Sequence, residues 1–298
     1  MKALLKFPIK REIDFTTMAL YFQLNYVPGN SAMLRNFRKL PPGHCAVISD
    51  TGELQINQWY TIPFTSGYKV TAPAGGYEQA TGKLRQLVED AVQRRLVSDV
   101  PLGAFLSGGI DSSIVTYCAA KHVSGLNTFS IGYKDEPYFD ETKYANLVAA
   151  KFKTNHTVYA VTNEEMFDRI FDVLDYIDEP FADSSAIAVN ILCHYTRQKA
   201  TVALSGDGGD ELFAGYNKHR AALRAQQTGL INTFIKAALP ALNLLPKSRH
   251  SKWGNLFRQA QRYSTGLQLT RAERYWQWCT LTGEEQVLRM LADKKRVN

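Results

Sequence analysis

From about residue 77 onward, short apolar segments alternate with segments of helical periodicity, and this alternation restricts the fold more than any other feature. Strands separated by helices predict βαβ units, hence a parallel sheet with helices on both faces. The predicted class is an α/β protein with a Rossmann-like, doubly wound sheet. The predicted strands cover 100–106, 126–132, 156–161 and 200–204, and the predicted helices 84–96, 112–122, 140–152, 163–177 and 184–198. Asn163 is the predicted N-cap of its helix, with two glutamates in the first turn.

The segments on either side of this region have a different character. Residues 1–60 are predicted to form strands and turns, including a hairpin around the Asp50-Thr51-Gly52 turn. The segment 63–76, rich in Pro, Gly, Ser and Thr, is a predicted linker. After Leu212 the strand pattern ends, and a helical region is predicted with breaks at Gly229, Pro240, Pro246 and Gly266. The predicted domain boundaries are therefore 1–62, 63–76, 77–216 and 217–298.

Cysteine, histidine and apolar patterns exclude several protein classes. The four cysteines are 73 to 86 residues apart, too far for a zinc knuckle or a redox CxxC motif. The six histidines include no HExxH pattern. No apolar stretch near the end of the chain could span a bilayer, and the N-terminus has no secretory apolar region. A cytoplasmic protein with reduced thiols and no membrane segment is predicted.

The charge of the chain is uneven. Lys and Arg number 35 against 28 Asp and Glu, but 15 basic and only 4 acidic residues lie from Leu212 to the end. A solvated helical face, or cations facing an anionic ligand, accounts for this excess. Nucleic-acid binding is disfavoured, because the basic residues have no pattern of interleaved aromatic side chains.

The first glycine loop directly follows the strand at 100–106. It reads Ser107-Gly108-Gly109-Ile110-Asp111-Ser112-Ser113 and opens a helix. Glycines let backbone N–H groups approach an anion at a helix N-terminus. A carboxylate fits there if it holds Mg²⁺ that bridges to phosphates. The loop is neither a Walker A motif nor a GxGxxG turn, and the alternative is an ordinary capped βα turn.

The second glycine loop directly follows the strand at 200–204. It reads Ser205-Gly206-Asp207-Gly208-Gly209-Asp210-Glu211. In a doubly wound sheet both loops lie at the carboxyl edge of the strands, where ligands bind. The two loops are therefore predicted to hold one Mg-nucleotide between them, the alternative being an Asp/Gly-rich turn with solvated charges.

Together these segments resemble the synthetase domain of glutamine-hydrolysing asparagine synthetases, in the ATP pyrophosphatase (PP-loop) superfamily. The first loop is similar to the pyrophosphate loop of that superfamily, and residues 204–216 are similar to the second signature of the family. Segments 129–133 and 178–185 resemble the intervening segments of the family. The resemblance runs almost continuously from about residue 80 to residue 220.

The resemblance implies an ATP-dependent ligase with ATP and Mg²⁺ as cofactors. Aspartate and ammonia, the latter from glutamine, would be the substrates: the side-chain carboxylate attacks the α-phosphorus, giving β-aspartyl-AMP and pyrophosphate, and ammonia then displaces AMP. The resemblance also implies roles for individual residues. It implies pyrophosphate binding by Ser107, Gly108, Gly109 and Ser112, adenosine binding by Leu106, Ile131, Ser205 and Gly206, and Mg²⁺ binding by Asp111 and Asp210.

Three further acidic residues receive roles through the resemblance. Asp207 matches the position linked to acyl-adenylate formation, where many relatives carry Glu, so its reach is one methylene shorter. Glu179 and Asp183 are weaker candidates on the acyl-acceptor side; an acidic loop at a helix start explains them equally well.

The two ends of the chain depart from the family pattern. Residues 26–29 and 38–44 resemble the closing part of a class II glutamine amidotransferase domain, so 1–62 is predicted to be its remnant. The catalytic cysteine of that domain is N-terminal, whereas this chain begins Met1-Lys2-Ala3 and has its first cysteine at Cys45. The family also continues into a helix with a catalytic lysine, which neither Lys294 nor Lys295 matches. A chain truncated at both ends is therefore predicted.

Two other functions stay open on the sequence alone. The chain could be a catalytically incomplete, nucleotide-binding fragment, or a related amidotransferase that acts on another carboxylate, such as a β-lactam-type synthetase. A homo-oligomer also stays open.

Overall fold

A computed structural model of the chain describes residues 1–62, 75–227, 229–246 and 251–291. These residues form two units: 1–62 with 175–183 and 279–291, and 75–174 with 184–227, 229–246 and 251–278. The domain boundaries drawn from the sequence stay a prediction. The predicted linker lies outside the described residues, apart from Gly75 and Gly76.

Six strands occur in the described ranges, and each belongs to one of two sheets. They are β1 (His44–Ile48), β2 (Leu54–Gln58), β3 (Leu102–Phe105), β4 (Asn127–Tyr133), β5 (Asn155–Val161) and β6 (Val202–Leu204). The antiparallel pair β1–β2 is the predicted hairpin, closed by Gly52 at φ +83°. The other four strands are those predicted for the α/β region, with each boundary shifted by at most two residues.

Except for the first, the helices of the described ranges occur largely where helical periodicity predicts them. They are α1 (Phe15–Leu24), α2 (Gly76–Arg94), α3 (Ile110–Ala120), α4 (Thr142–Phe152), α5 (Asn163–Asp168), α6 (Ile170–Tyr176), α7 (Ser185–Thr196), α8 (Gly209–Phe213), α9 (Asn217–Gln226), α10 (Leu230–Ala237), α11 (Leu239–Asn243), α12 (Lys252–Leu267), α13 (Arg271–Cys279) and α14 (Glu284–Met290). None of the described helices is long and apolar enough to cross a membrane.

The larger sheet is entirely parallel and has the strand order β5-β4-β3-β6. The chain moves outward from β3 through β4 to β5, and then returns to place β6 on the other side of β3. The strand order therefore reverses between β3 and β6. In open α/β sheets, such a reversal opens a crevice at the carboxyl ends of the two strands.

Alternating side chains of the strands pack against helices on both faces of this sheet. On one face, Ala104 packs with Val92 of α2 and Cys118 of α3. Leu106, two residues further on, packs with Ala145 and Ala149 of α4. On the other face, Phe129 packs with Leu192 of α7. The predicted α/β fold with a doubly wound parallel sheet is confirmed.

The helical region after Leu212 contains one correction to the sequence prediction. Gly266 does not break a helix: α12 continues through it and ends at Leu267. A Cβ on Gly266 would lie 2.6 Å from the indole nitrogen of Trp278. The glycine therefore allows α12 and α13 to pack closely, a role that a local sequence pattern does not distinguish from helix breaking.

A second correction concerns the first sixty residues, which contain a helix as well as strands and turns. In α1, the Asp14 side chain accepts a hydrogen bond from Thr17 N, and Asn25 ends the helix in the left-handed conformation. Ala19 packs against Val287 and Leu291. The partner residues lie more than 260 positions away, so the apolar face of α1 cannot be recognised from local sequence.

The third correction concerns the predicted helix at 163–177. Its N-cap is Thr162 rather than Asn163, because Thr162 Oγ1 accepts from Glu165 N while the Glu165 carboxylate accepts from Thr162 N. This reciprocal pair is a capping box. The helix is also interrupted at Arg169, between α5 and α6.

Candidate functional site: two glycine loops at the strand-order reversal

The first loop joins β3 to α3, and its hydroxyl groups fold it onto the helix N-terminus. Ser107 N donates to Ser112 Oγ at 3.2 Å, and the two hydroxyl oxygens lie 2.9 Å apart. Gly109 N donates to Ser107 Oγ at 3.2 Å, and Ser112 Oγ contacts Gly109 O at 3.3 Å. The structure therefore brings together three of the four predicted pyrophosphate residues. Ser112 is 8% exposed, so its hydroxyl organises the loop from within.

Gly108, the fourth predicted pyrophosphate residue, has a conformation that requires glycine. Its φ is +84°, and a Cβ would lie 2.5 Å from Ala145 N and 2.6 Å from Tyr144 Cβ of α4. At the next position, Gly109 is the N-cap of α3 and supplies no side-chain acceptor. The first N–H groups of a helix have no partner within the helix, so α3 presents backbone donors where an anion would be stabilised.

The second loop follows β6 and lies against the first. A Cβ on Gly206 would be 2.6 Å from Ser112 N and 2.8 Å from the carbonyl carbon of Asp111. A Cβ on Gly209 would be 2.6 Å from Asp111 Cγ. A side chain at Gly206 would therefore meet the backbone of α3, and a side chain at Gly209 would displace the Asp111 carboxylate. The Asp111 carboxylate lies between α3 and the start of α8.

Two of the three acidic side chains of the second loop accept hydrogen bonds from hydroxyl groups. Ser205 Oγ donates to Asp207 Oδ2 at 2.9 Å. Tyr216 OH donates to Glu211 Oε1 at 2.6 Å. That hydrogen bond, with burial and the charges of Glu211, Asp210 and Asp207, raises the pKa of Tyr216 to about 12. The phenol therefore stays protonated and remains a donor at neutral pH.

The Tyr216–Glu211 pair is a feature that the sequence prediction missed. The same hydrogen bond lowers the pKa of the Glu211 carboxyl, so this group stays ionised beside the two loops. Lys218 Nζ lies 5.1 Å from the centre of the Tyr216 ring. Glu211 and Tyr216 both lie in the segment 204–216, but spacing alone does not show that they bond across the end of α8.

The two predicted adenosine residues outside the loops lie at the carboxyl ends of β3 and β4. Leu106 is 1% exposed, and its N–H donates to Phe129 O at 2.8 Å. Its carbonyl accepts from the Ser130 hydroxyl. Ile131 is half-buried and lies two residues beyond the Phe105–Phe129 register pair. The side chain of Leu106 therefore lies in the protein core.

Glu179 and Asp183 belong to the smaller unit, which contains none of the glycine-loop residues. Lys39 Nζ lies 2.9 Å from Glu179 Oε1 and donates to Val27 O at 2.7 Å. The ion pair gives Glu179 a structural partner within that unit. Its predicted position on the acyl-acceptor side stays a prediction.

No group of three or more His, Cys, Asp or Glu side chains within the described ranges has the arrangement of a metal site. Mg²⁺ is commonly held by one or two carboxylates together with water and substrate phosphates. The two carboxylates predicted to bind Mg²⁺ in this way are those of Asp111 and Asp210. Asp111 lies against Gly209, the residue before Asp210, and the Asp210 carboxylate lies against Gly215.

Several basic residues after Leu212 tie helices together through backbone carbonyls. Arg274 donates to Gly266 O at 2.9 Å and to Leu269 O at 3.1 Å. Arg262 donates to Gln277 O at 2.9 Å. Part of the positive charge therefore has a packing role. Lys247, Arg249 and residues 294–296 lie outside the described residues.

A parallel sheet with two adjoining glycine loops at its strand-order reversal defines an open α/β protein, a class in which ligands bind at this crevice. The asparagine synthase family model matches residues 83–296. The chain belongs to the asparagine synthase family, which confirms the family prediction.

Curated relatives carry the name asparagine synthetase. Glutamine-hydrolysing asparagine synthetase 2 of Methanocaldococcus jannaschii is 37% identical over 230 residues, covering 76% of this chain and 43% of that protein. Glutamine-hydrolysing asparagine synthetase 1 of Bacillus subtilis is 31% identical, covering 76% of this chain and 35% of the relative. The chain thus spans less than half the length of these relatives.

Among solved structures, the NH3-dependent NAD synthetase of Campylobacter jejuni covers 65% of this chain and 96% of its own. Its sequence identity is 12% and its TM-score 0.30. This likeness is too weak to bear on either fold or function.

Proposed function

We propose that the chain carries the ATP-dependent, amide-forming unit of a glutamine-hydrolysing asparagine synthetase. The side-chain carboxylate of aspartate attacks the α-phosphorus of ATP, forming β-aspartyl-AMP and releasing pyrophosphate. Ammonia, derived from glutamine in the longer relatives, then displaces AMP to give asparagine. The observation that supports this most is the close approach of two glycine loops at the β3–β6 reversal, with Gly206 against Ser112 N.

The reaction brings an anion to a polyanion, so negative charge must be stabilised as pyrophosphate departs. We assign pyrophosphate binding to the first glycine loop, Ser107, Gly108, Gly109 and Ser112, together with the N-terminus of α3. The hydrogen bonds of Ser107 N and Gly109 N to the loop hydroxyl groups hold the shape of this loop. We assign adenosine binding to Leu106, Ile131, Ser205 and Gly206. Since the Leu106 side chain is in the core, its contribution is to shape the floor of the site.

Mg²⁺ fits the chemistry of Asp111 and Asp210, since both supply hard carboxylate oxygens, and the two carboxylates lie against Gly209 and Gly215, which have no Cβ to displace them. When bound, the ion would neutralise phosphate charge. Asp207 is the residue to which we assign acyl-adenylate formation. Its carboxylate accepts from Ser205 Oγ and is thereby oriented within the second loop.

Replacing Asp111 by Ala tests the nucleotide site. Mg-ATP at about 100 times its dissociation constant should raise the unfolding free energy of the unmodified chain by about 2.7 kcal/mol. The D111A variant should lose this protection, because it lacks the carboxylate proposed to hold the Mg²⁺ that accompanies the phosphates. Thermal unfolding with and without Mg-ATP measures the difference.

The matched control is Asp168→Ala, which removes an exposed carboxylate at the end of α5. D168A should retain protection by Mg-ATP. Equal melting of the unmodified chain with and without Mg-ATP would contradict the proposed function.

A further inference from the structure

A partly buried series of hydrogen bonds leads from β5 through β4 to the start of the first glycine loop. His156 in β5 lies between two hydroxyl groups of β4: its Nδ1 is 2.9 Å from Thr128 Oγ1, and its Nε2 is 3.2 Å from Ser130 Oγ. Thr128 Oγ1 is also 2.8 Å from Thr154 Oγ1. Thr128 and Ser130 are 0% and 3% exposed, so their hydroxyl groups depend on these partners.

The donor and the acceptor of each of these hydrogen bonds follow from the fact that a hydroxyl group has a single proton to donate. Ser130 Oγ donates to Leu106 O, so it can only accept from His156, and Nε2 must carry a proton. In a neutral imidazole Nδ1 is then an acceptor, and it takes the Thr128 proton. Burial lowers the pKa of His156, opposed by a hydrogen bond with the Thr128 backbone, and this favours the neutral form.

This series of hydrogen bonds ends on the peptide group between Leu106 and Ser107, where the first loop begins. The carbonyl of this peptide is Leu106 O, held by Ser130, and its N–H is that of Ser107, held by Ser112 Oγ at 3.2 Å. A peptide group is planar, so bonds at its two ends fix the orientation of the plane. The direction of the following N–H groups depends on that orientation.

We propose that His156 is a positioning residue for the nucleotide loop, acting through Ser130 and Leu106 O on the peptide plane between Leu106 and Ser107. This inference rests on the proposed function, because it assigns His156 to the binding of the ATP phosphates. His156 itself lies in β5, two strands from β3, and the hydrogen bonds carry its effect.

The test uses the full 298-residue chain and isothermal calorimetry with Mg-ATP, at a temperature where each variant is folded by near-ultraviolet circular dichroism. H156L, which removes the Nε2 donor, should bind Mg-ATP about tenfold more weakly. H156Q should bind within about threefold of the unmodified chain, because its amide supplies both a donor and an acceptor.

Thr154→Val is the matched control. It removes the hydrogen bond between Thr154 and Thr128 but keeps the hydrogen bonds that connect His156 through Ser130 to Leu106. The Mg-ATP affinity of T154V should therefore stay within about threefold of the unmodified chain. Equal weakening by T154V and H156L, or no rescue by H156Q, would overturn the positioning role and leave a purely structural one. Unchanged binding by H156L would also overturn it.

Nitrogen-15 NMR of the histidine rings keeps the inference testable if H156L fails to fold. The unmodified chain should show His156 as the neutral tautomer with the proton on Nε2. A proton on Nδ1 of a neutral ring would overturn the inference while leaving the proposed function intact. No Mg-ATP binding by the unmodified chain would overturn the proposed function, and with it this inference.

Discussion

At the scale of single residues, the candidate site depends on positions where a side chain cannot fit. Gly206 faces backbone atoms of Asp111 and Ser112 at distances that no Cβ tolerates, and Gly209 faces the Asp111 carboxylate at a distance where a Cβ would displace it. The sequence predicts that glycines at these positions let backbone approach a ligand. The structure adds that these glycines also let one loop approach the other. Glycine is therefore needed there partly for packing within the protein and not only for access of a ligand.

Replacing Gly206 by Ala tests this requirement. The new Cβ would meet backbone atoms of Asp111 and Ser112, which cannot move without displacing the start of α3. We expect Mg-ATP binding to weaken by about tenfold or more, and the protein to lose about 1–3 kcal/mol of stability through overpacking. Calorimetry and urea unfolding measure the two effects.

Gly82→Ala in α2 is the control, since a Cβ there has nothing within 4 Å. It should leave Mg-ATP binding unchanged and raise stability by about 0.5–1 kcal/mol, because alanine is the better helix former. Normal Mg-ATP affinity in G206A would show that the two loops do not constrain each other.

At the scale of elements, sequence periodicity predicts most strands and helices of the α/β region within a few residues. It does so because an alternating or helical pattern of apolar residues is itself the cause of burial on one face. Termini are harder, since Thr162 and Asn163 are both good caps by residue type. Only the structure shows that the side chain of Thr162 accepts the Glu165 amide proton.

The capping box gives a prediction with its control at the adjacent position. Thr162→Ala should cost about 1 kcal/mol of unfolding free energy, because the cap and its reciprocal bond to Glu165 are lost. Asn163→Ala should change stability by less than about 0.5 kcal/mol, since Asn163 is an exposed first-turn residue. Urea unfolding that finds the larger loss in N163A would restore Asn163 as the cap.

At the scale of the whole molecule, the strand order decides where the chemistry can occur. The two loops are about a hundred residues apart in sequence, and the return of the chain to β6 beside β3 brings them together. Packing decides the role of several charges too. Arg262 and Arg274 hold helices together through backbone carbonyls, so the basic excess does not measure affinity for an anion.

The choice of carboxylate substrate also depends on the whole molecule. If aspartate is the carboxylate that accepts the adenylyl group, the chain should exchange labelled pyrophosphate into ATP only when aspartate is present, since the first step is reversible. Glutamate, one methylene longer, is the matched control and should not support exchange. Exchange with another carboxylate but not with aspartate would contradict the proposed substrate while leaving the nucleotide site in place.

The α/β class, the family and the two glycine loops can all be predicted from the sequence, because periodicity and contiguous motifs are local properties. The folded structure is needed to show how closely the loops meet, that Tyr216 bonds Glu211, and that Ser130 links His156 to Leu106. These contacts join strands and helices distant in the chain, and the side chains concerned are ordinary for their positions. Their partners are set by strand order and packing, which no local pattern encodes.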